Sequence, residues 1–113
     1  MQIKTTQYTI RIDVIEITGR LEAFTVSDLR DEQTRLLDNG AHNFVIDLSH
    51  TEFMDSAGMS ALVSLLKQAR QAGGEVVLVK PTDPAAYRIL TLTRFDKVFQ
   101  MADTLDVAYE NFK

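Results

Sequence analysis

At 113 residues, 45% apolar and 25% charged, the chain has the length and composition of one globular domain with a single core. Its formal charge of −4, with Arg and Lys scattered along the chain, excludes the dense basic face that nucleic-acid binding requires. The absence of cysteine excludes disulfides and thiol chemistry, and no apolar stretch has the length of a membrane span or the character of a signal peptide, so a cytoplasmic protein without membrane insertion is expected.

Tyr8-Thr9-Ile10-Arg11-Ile12 and Val14-Ile15-Glu16-Ile17 are β-branched and nearly alternating, which predicts an antiparallel pair turning near Asp13. Gly19 ends the second of them. Thr25 stands three residues before Asp28, a capping-box spacing with Asp in place of Glu. The helix it opens carries Val26, Leu29, Leu36 and Leu37 on one stripe and stops at Asn39-Gly40. Phe44-Val45-Ile46-Asp47-Leu48 is almost continuously apolar, as in a strand covered on both faces.

A sixteen-residue helical pattern runs from Ser56 to Gln71, with Leu62, Leu65, Leu66 and Ala69 at helical spacing. Gly73-Gly74 ends it, and Glu75-Val76-Val77-Leu78-Val79 reads as a second buried strand, so the run predicts a right-handed parallel crossover. Asp83 caps a short helix that Pro84 begins and that extends to about Leu92. Val98-Phe99-Gln100-Met101 is a last, weaker strand. Asp103-Thr104 starts a terminal helix with Leu105, Ala108, Tyr109 and Phe112 on one side. The sum is an α/β fold of order ββαβαβαβα: a mixed sheet of about four to five strands with about four helices, in one domain over residues 1–113. The net charge and the lack of heptads predict a monomer.

The junction Asp55-Ser56-Ala57-Gly58 carries the functional signal. A hydroxyl is presented where a strand and a polar loop lead into a helix, and a first helical turn has unpaired N–H groups that accommodate an anion. Ser56 or Asp55 as a plain cap is the commonest use of such residues. Gly58 is unexplained by capping, since Gly weakens a helix, and it suggests close approach of another chain or a phosphate. A nucleophilic serine is disfavoured. Met54 stands where a Gly-x-Ser-x-Gly elbow needs its first glycine, the only histidines are His42 and His50 in loops, and no third group orients a base. Phosphorylation of Ser56 explains more: it adds about −1.5 to −2 charges that the helix start tolerates, on a rim that Glu52 and Asp55 already make acidic. The chain would then bind a partner when unmodified and release it when phosphorylated.

Phe53-Met54-Asp55-Ser56-Ala57-Gly58-Met59-Ser60-Ala61-Leu62 resembles the phosphorylation motif of the bacterial anti-sigma-factor antagonists, the STAS domain family. Gly19-Arg20-Leu21-Glu22-Ala23, Val45-Ile46-Asp47-Leu48-Ser49, Ala72-Gly73-Gly74-Glu75, Ile89-Leu90-Thr91-Leu92-Thr93 and Phe95-Asp96-Lys97-Val98-Phe99 extend the resemblance from about Tyr8 to Ala108. The resemblance implies a STAS-like fold and a regulatory binding protein without cofactor, metal or enzymatic activity. Its partners would be an anti-sigma factor that is also a serine kinase with an ATPase-like fold, and a phosphatase of the PP2C type. The unphosphorylated form would sequester the anti-sigma factor and release a sigma factor. Carried onto this chain, the resemblance makes Ser56 the phosphoacceptor and Asp55 its orienting neighbour. The docking rim would comprise Arg20, Leu21, Glu22, Ala23 and Phe24, then Thr51, Glu52, Phe53 and Met54, then Ser56, Ala57, Gly58 and Met59.

Two positions depart from the family pattern. Ala57 stands where many members have a second hydroxyl, leaving Ser56 the sole local acceptor, and Met59-Ser60 replaces Leu-Gly. The resemblance also admits a structural or regulatory adaptor, as a subunit of a transporter or of another signalling complex. Such a role predicts stable binding with no need of an acceptor serine, and retention of Asp-Ser-x-Gly favours the switch.

Overall fold

The computed structural model describes residues 1–112, in which β1 (Asp13–Glu16), β2 (Gly19–Leu21), α1 (Val26–Asp38), β3 (Asn43–Asp47), β4 (Thr51–Met54), α2 (Ser56–Gln71), β5 (Glu75–Val79), α3 (Pro84–Leu92), α4 (Phe95–Val98), β6 (Gln100–Ala102) and α5 (Leu105–Glu110) follow in order. The α/β class is the expected one. Four strands form a sheet in the order β1-β3-β5-β6, and β2 pairs with β4 in a separate two-stranded sheet.

Alternation along the buried strands explains the layering. Phe44, Ile46, Val76 and Leu78 point to a larger core shared with Leu29 and Leu36 of α1, with Leu62, Leu65 and Leu66 of α2, and with Leu90 of α3. Val45, Val77 and Val79 point the other way, to a smaller core closed by Ala108 of α5 with Leu105 and Phe112. Both faces of β3 and β5 are therefore covered, which is why these strands read as unbroken apolar runs. The β3–α2–β5 crossover is parallel, with Phe44 opposite Val76 and Ile46 opposite Leu78.

Several expectations change in detail. The antiparallel pair of 8–12 with 14–17 does not form: residues 1–11 are exposed, and β1 instead runs parallel to β3, with Val14 opposite Val45 and Ile15 opposite Ile46. A position beside the central strand gives Ile15 a place in the larger core, whereas a two-stranded ribbon alone is marginal in water. Every strand pairing among the described residues is parallel rather than mixed, and there are six strands and five helices. The last strand is displaced to Gln100–Ala102, because Phe95–Val98 closes a helical turn that buries Phe99 beside the Phe95 ring, 5.4 Å between centroids.

The helix starts separate real caps from apparent ones. Asp83 Oδ1 accepts from the amides of Ala85 (2.8 Å) and Ala86 (3.3 Å), as the sequence predicts, and at the Asp103-Thr104 start it is Thr104 Oγ1 that accepts from Val107 N–H (3.2 Å). Thr25 does not cap α1. Its hydroxyl donates to the Arg20 carbonyl (2.8 Å) and accepts from Glu22 N–H (3.0 Å), so it braces the preceding loop instead.

Candidate functional site

The site is built where β2 and β4 end side by side beneath the start of α2. Leu21 and Met54, the last residues of the two strands, are opposite one another and buried. Asp55 N–H donates to the Leu21 carbonyl (3.2 Å), tying the entrance of α2 to the end of β2. β4 forms where the sequence predicts a polar loop. Its four residues alternate buried, exposed, half-buried and buried, a pattern too short to stand out beside the long apolar runs.

Asp55 is the organising residue. Its Oδ1 accepts from Gly58 N–H (3.0 Å), which caps α2, and its Oδ2 accepts from Ala23 N–H (3.0 Å), which holds the loop before α1 against the helix start. The Gly58 N–H holds the carboxyl below the usual carboxylate range against an opposing desolvation, and the Ala23 and Ala57 amides add to the lowering. A depressed carboxyl contributes stability that is complete above its unfolded value and is lost as pH falls through its folded value. Asp55→Asn retains one acceptor oxygen for two amides. It is therefore expected to melt below wild type at neutral pH, with the gap closing on acidification below the ordinary carboxylate range. Paired thermal melts across that range measure this, and a gap independent of pH would contradict it.

Gly58 has a structural explanation within the chain. A Cβ there would lie 2.5 Å from the Leu21 carbonyl oxygen and 2.6 Å from Leu21 Cγ. The close approach anticipated at this glycine is therefore that of the protein's own strand β2, and not of a phosphate or a second chain.

With Asp55 acting as cap, Ser56 is released from that role. It is the first residue of α2, is exposed, and its hydroxyl makes no hydrogen bond among the described residues. Ala57 is half-buried beside it, and Ser60 is exposed one turn on. Of the other anticipated rim residues, Arg20, Ala23, Phe24 and Glu52 are exposed. Phe24 is 92% exposed, and the Arg20 guanidinium lies 4.3 Å from the centroid of the half-buried Phe53 while pairing with Glu22 at 3.1 Å.

The other anticipated rim residues support from beneath. Leu21, Thr51, Met54, Gly58 and Met59 are buried, and Thr51 Oγ1 donates to the Ile17 carbonyl (2.7 Å). The side chains of Leu21, Thr51, Met54 and Met59 are committed to the fold, and Gly58 contributes backbone alone. Sequence reasoning missed the Ala23 amide and the Thr25 hydroxyl, which fix the Phe24 loop. Neither leaves a sequence signal beyond the Thr25–Asp28 spacing that suggested a cap.

Neither histidine serves Ser56. His50 lies in a polar depression of about 460 Å³ with Thr18, Ser49, Thr51, Glu52, Thr82 and Asp83, which does not include Ser56. His42 Nδ1 is 3.2 Å from the Gly40 carbonyl, at the far end of β3. The Ser56 hydroxyl is exposed at the first residue of α2, and the Phe24 ring is exposed in the loop between β2 and α1. The arrangement assembles no nucleophile–base pair.

The chain is similar to known proteins in sequence and in fold. A family model described as the STAS domain matches residues 4–108. A Bordetella bronchiseptica protein assigned by name as an anti-sigma factor antagonist is 27% identical over 97 residues, spanning 86% of this chain and 83% of its own. A Thermotoga maritima protein assigned likewise is 31% identical over 77 residues, spanning 68% of this chain and 67% of its own. The crystal structure of a Thermotoga maritima protein, also assigned as an anti-sigma factor antagonist, superposes with a TM-score of 0.79 at 27% identity, covering 93% of this chain and 92% of that one.

Proposed function

The chain belongs to the STAS domain family, and we propose that it is a non-enzymatic anti-sigma-factor antagonist whose partner-binding face is switched by phosphorylation of Ser56. The unmodified rim captures an anti-sigma factor that is also a serine kinase with an ATPase-like fold, and so frees a sigma factor. Phosphorylation of Ser56 releases that partner, and a PP2C-type phosphatase restores the binding form. The observation that carries this reading is the division of labour at the start of α2. Asp55 satisfies the helix N-terminus, and the adjacent Ser56 hydroxyl stands exposed with no structural task.

Affinity capture from the native host, with wild-type chain beside Ser56→Glu as bait, tests the proposal. A small kinase of ATPase-like fold held by wild type and lost by Ser56→Glu is expected. Equal recovery of transporter subunits by both would replace the switch with an adaptor role.

Phe24 is the natural anchor of the rim, since a large aromatic with 92% exposure contributes almost nothing to the core. Phe24→Ala is expected to lower partner affinity by about 10-fold or more, as for a central aromatic contact. Its melting temperature should stay close to wild type. A large fall in melting temperature with affinity retained would contradict that role.

A further inference from the structure

The fold leaves a strand-like segment and a strand edge both without partners. Residues 1–11 are exposed throughout, including the apolar Ile3, Tyr8 and Ile10. β1 is the outer strand of its sheet, hydrogen-bonded to β3 alone, so its other edge carries unpaired N–H and C=O groups. The simplest closure, a hairpin at Asp13, is not the conformation adopted. Arg11 donates to the Asn39 carbonyl (2.8 Å) and to Asp13 Oδ1 (2.8 Å), its own carbonyl accepts from Asn43 Nδ2 (3.5 Å), and Ile12 packs with Val14 on the smaller core. The chain before Arg11 runs outward instead. The molecule is 61 Å long against 27 and 21 Å across, and roughly 11 extended residues at about 3.3 Å each account for the excess.

We infer that two copies of this chain associate by exchanging these arms, the stretch 4–16 of each running antiparallel along the same stretch of the other about a twofold axis at Ile10. Side-chain chemistry selects this register. With Ile10 opposite its counterpart, Tyr8 faces Ile12, Thr6 faces Val14, and Lys4 faces Glu16 of the second copy. The first is an aromatic–β-branched pair and the last an opposite-charge pair, both favourable across antiparallel strands. A shift of two residues in one direction sets Arg11 against its counterpart, and in the other it sets Lys4 against Val14. A shift of one mixes the apolar even positions with Gln7 and Thr9. The even positions also continue the face on which Ile12 and Val14 meet the smaller core, so the exchanged arm extends that thin layer. The contact is isologous and closes at two copies. None of its residues belongs to the Ser56 rim, so it is separable from partner capture.

The absence of native cysteine allows a direct test on the full chain. Ile10→Cys should form a disulfide-linked dimer on mild oxidation, and Thr9→Cys, pointing to the other face and off the axis, should do so several-fold less. In sedimentation equilibrium wild type should be dimeric, Lys4→Glu shifted to monomer, and Lys4→Glu combined with Glu16→Lys dimeric again. A monomeric wild type, or cross-linking equal at positions 9 and 10, would overturn the exchange. Amide protection of residues 3–10 in a monomer would assign the arm to its own chain instead.

Discussion

Ser56→Glu is expected to cut affinity for the anti-sigma partner by about 100-fold or more, the scale of burying an unpaired charge in an interface, while moving the melting temperature by only a degree or two. The asymmetry follows from where Ser56 sits. As the first residue of α2, exposed and without a hydrogen-bond partner among the described residues, it can gain a charge without displacing an internal contact. A negative group in a first helical turn is worth roughly 0.3–1 kcal/mol to the helix, which offsets repulsion from Asp55 next to it. At a docked interface the same charge must be desolvated, and the Arg20 guanidinium of the rim is already paired with Glu22. Ser56→Ala should keep both affinity and stability, because the hydroxyl holds nothing together. Titration calorimetry with the purified partner, alongside thermal melts, reads both quantities. A glutamate variant that binds as wild type, or an alanine variant that does not, would contradict the role assigned to this serine.

Gly74→Ala should be the most damaging single-methyl change in the chain. A Cβ at Gly74 would lie 1.6 Å from the His42 carbonyl oxygen and 2.3 Å from its carbon. That carbonyl also accepts from Glu75 N–H (3.1 Å), the first rung joining β5 to β3. Backbone cannot swing aside as a side chain can, so the methyl must push the start of β5 away from β3, at the hinge where α2 returns to the sheet. Gly74 N–H, bonded to the Ala69 carbonyl at 2.8 Å, is the closing bond of that helix and is strained by the same movement. Overpacking of this kind costs about 3 kcal/mol or more. In a domain of this size that is a fall of about 10 °C in melting temperature. Urea or thermal unfolding of the purified variant measures it. A melting temperature within a degree or two of wild type would show that β3 and β5 separate more freely than their buried packing implies.

Much of the architecture was legible because it rests on patterns that local physics enforces. The apolar runs 44–48 and 75–79, the leucine spacing of α2 and the Asp83-Pro84 start each identify an element without tertiary knowledge. What escaped depends on partners distant in sequence. Thr51–Met54 becomes a strand only because Gly19–Leu21 lies beside it. The segment 8–12 has good β character yet no strand partner among the described residues, whereas Val14 and Ile15 reach β3. At the site, the Asp-Ser-x-Gly sequence marked the position but could not apportion the roles. Asp55 or Ser56 could each have been the cap, and only the bonds to Gly58 and Ala23 decide for Asp55. Phe24 lies in the loop between β2 and α1, where its ring is exposed. Met54 and Phe53 were not separable until β4 turned one into the core and left the other under Arg20.

The most direct measurement of the switch is phosphosite mapping by tandem mass spectrometry on chain recovered from the host in partner-bound and free pools. Trypsin releases Leu36–Lys67, which contains Ser56 together with Ser49, Thr51, Ser60 and Ser64 as internal alternatives. The account predicts phosphate on Ser56 in the free pool and unmodified peptide in the bound pool. Phosphate on Ser56 in equal proportion in both pools, or confined to one of the other hydroxyls, would contradict it.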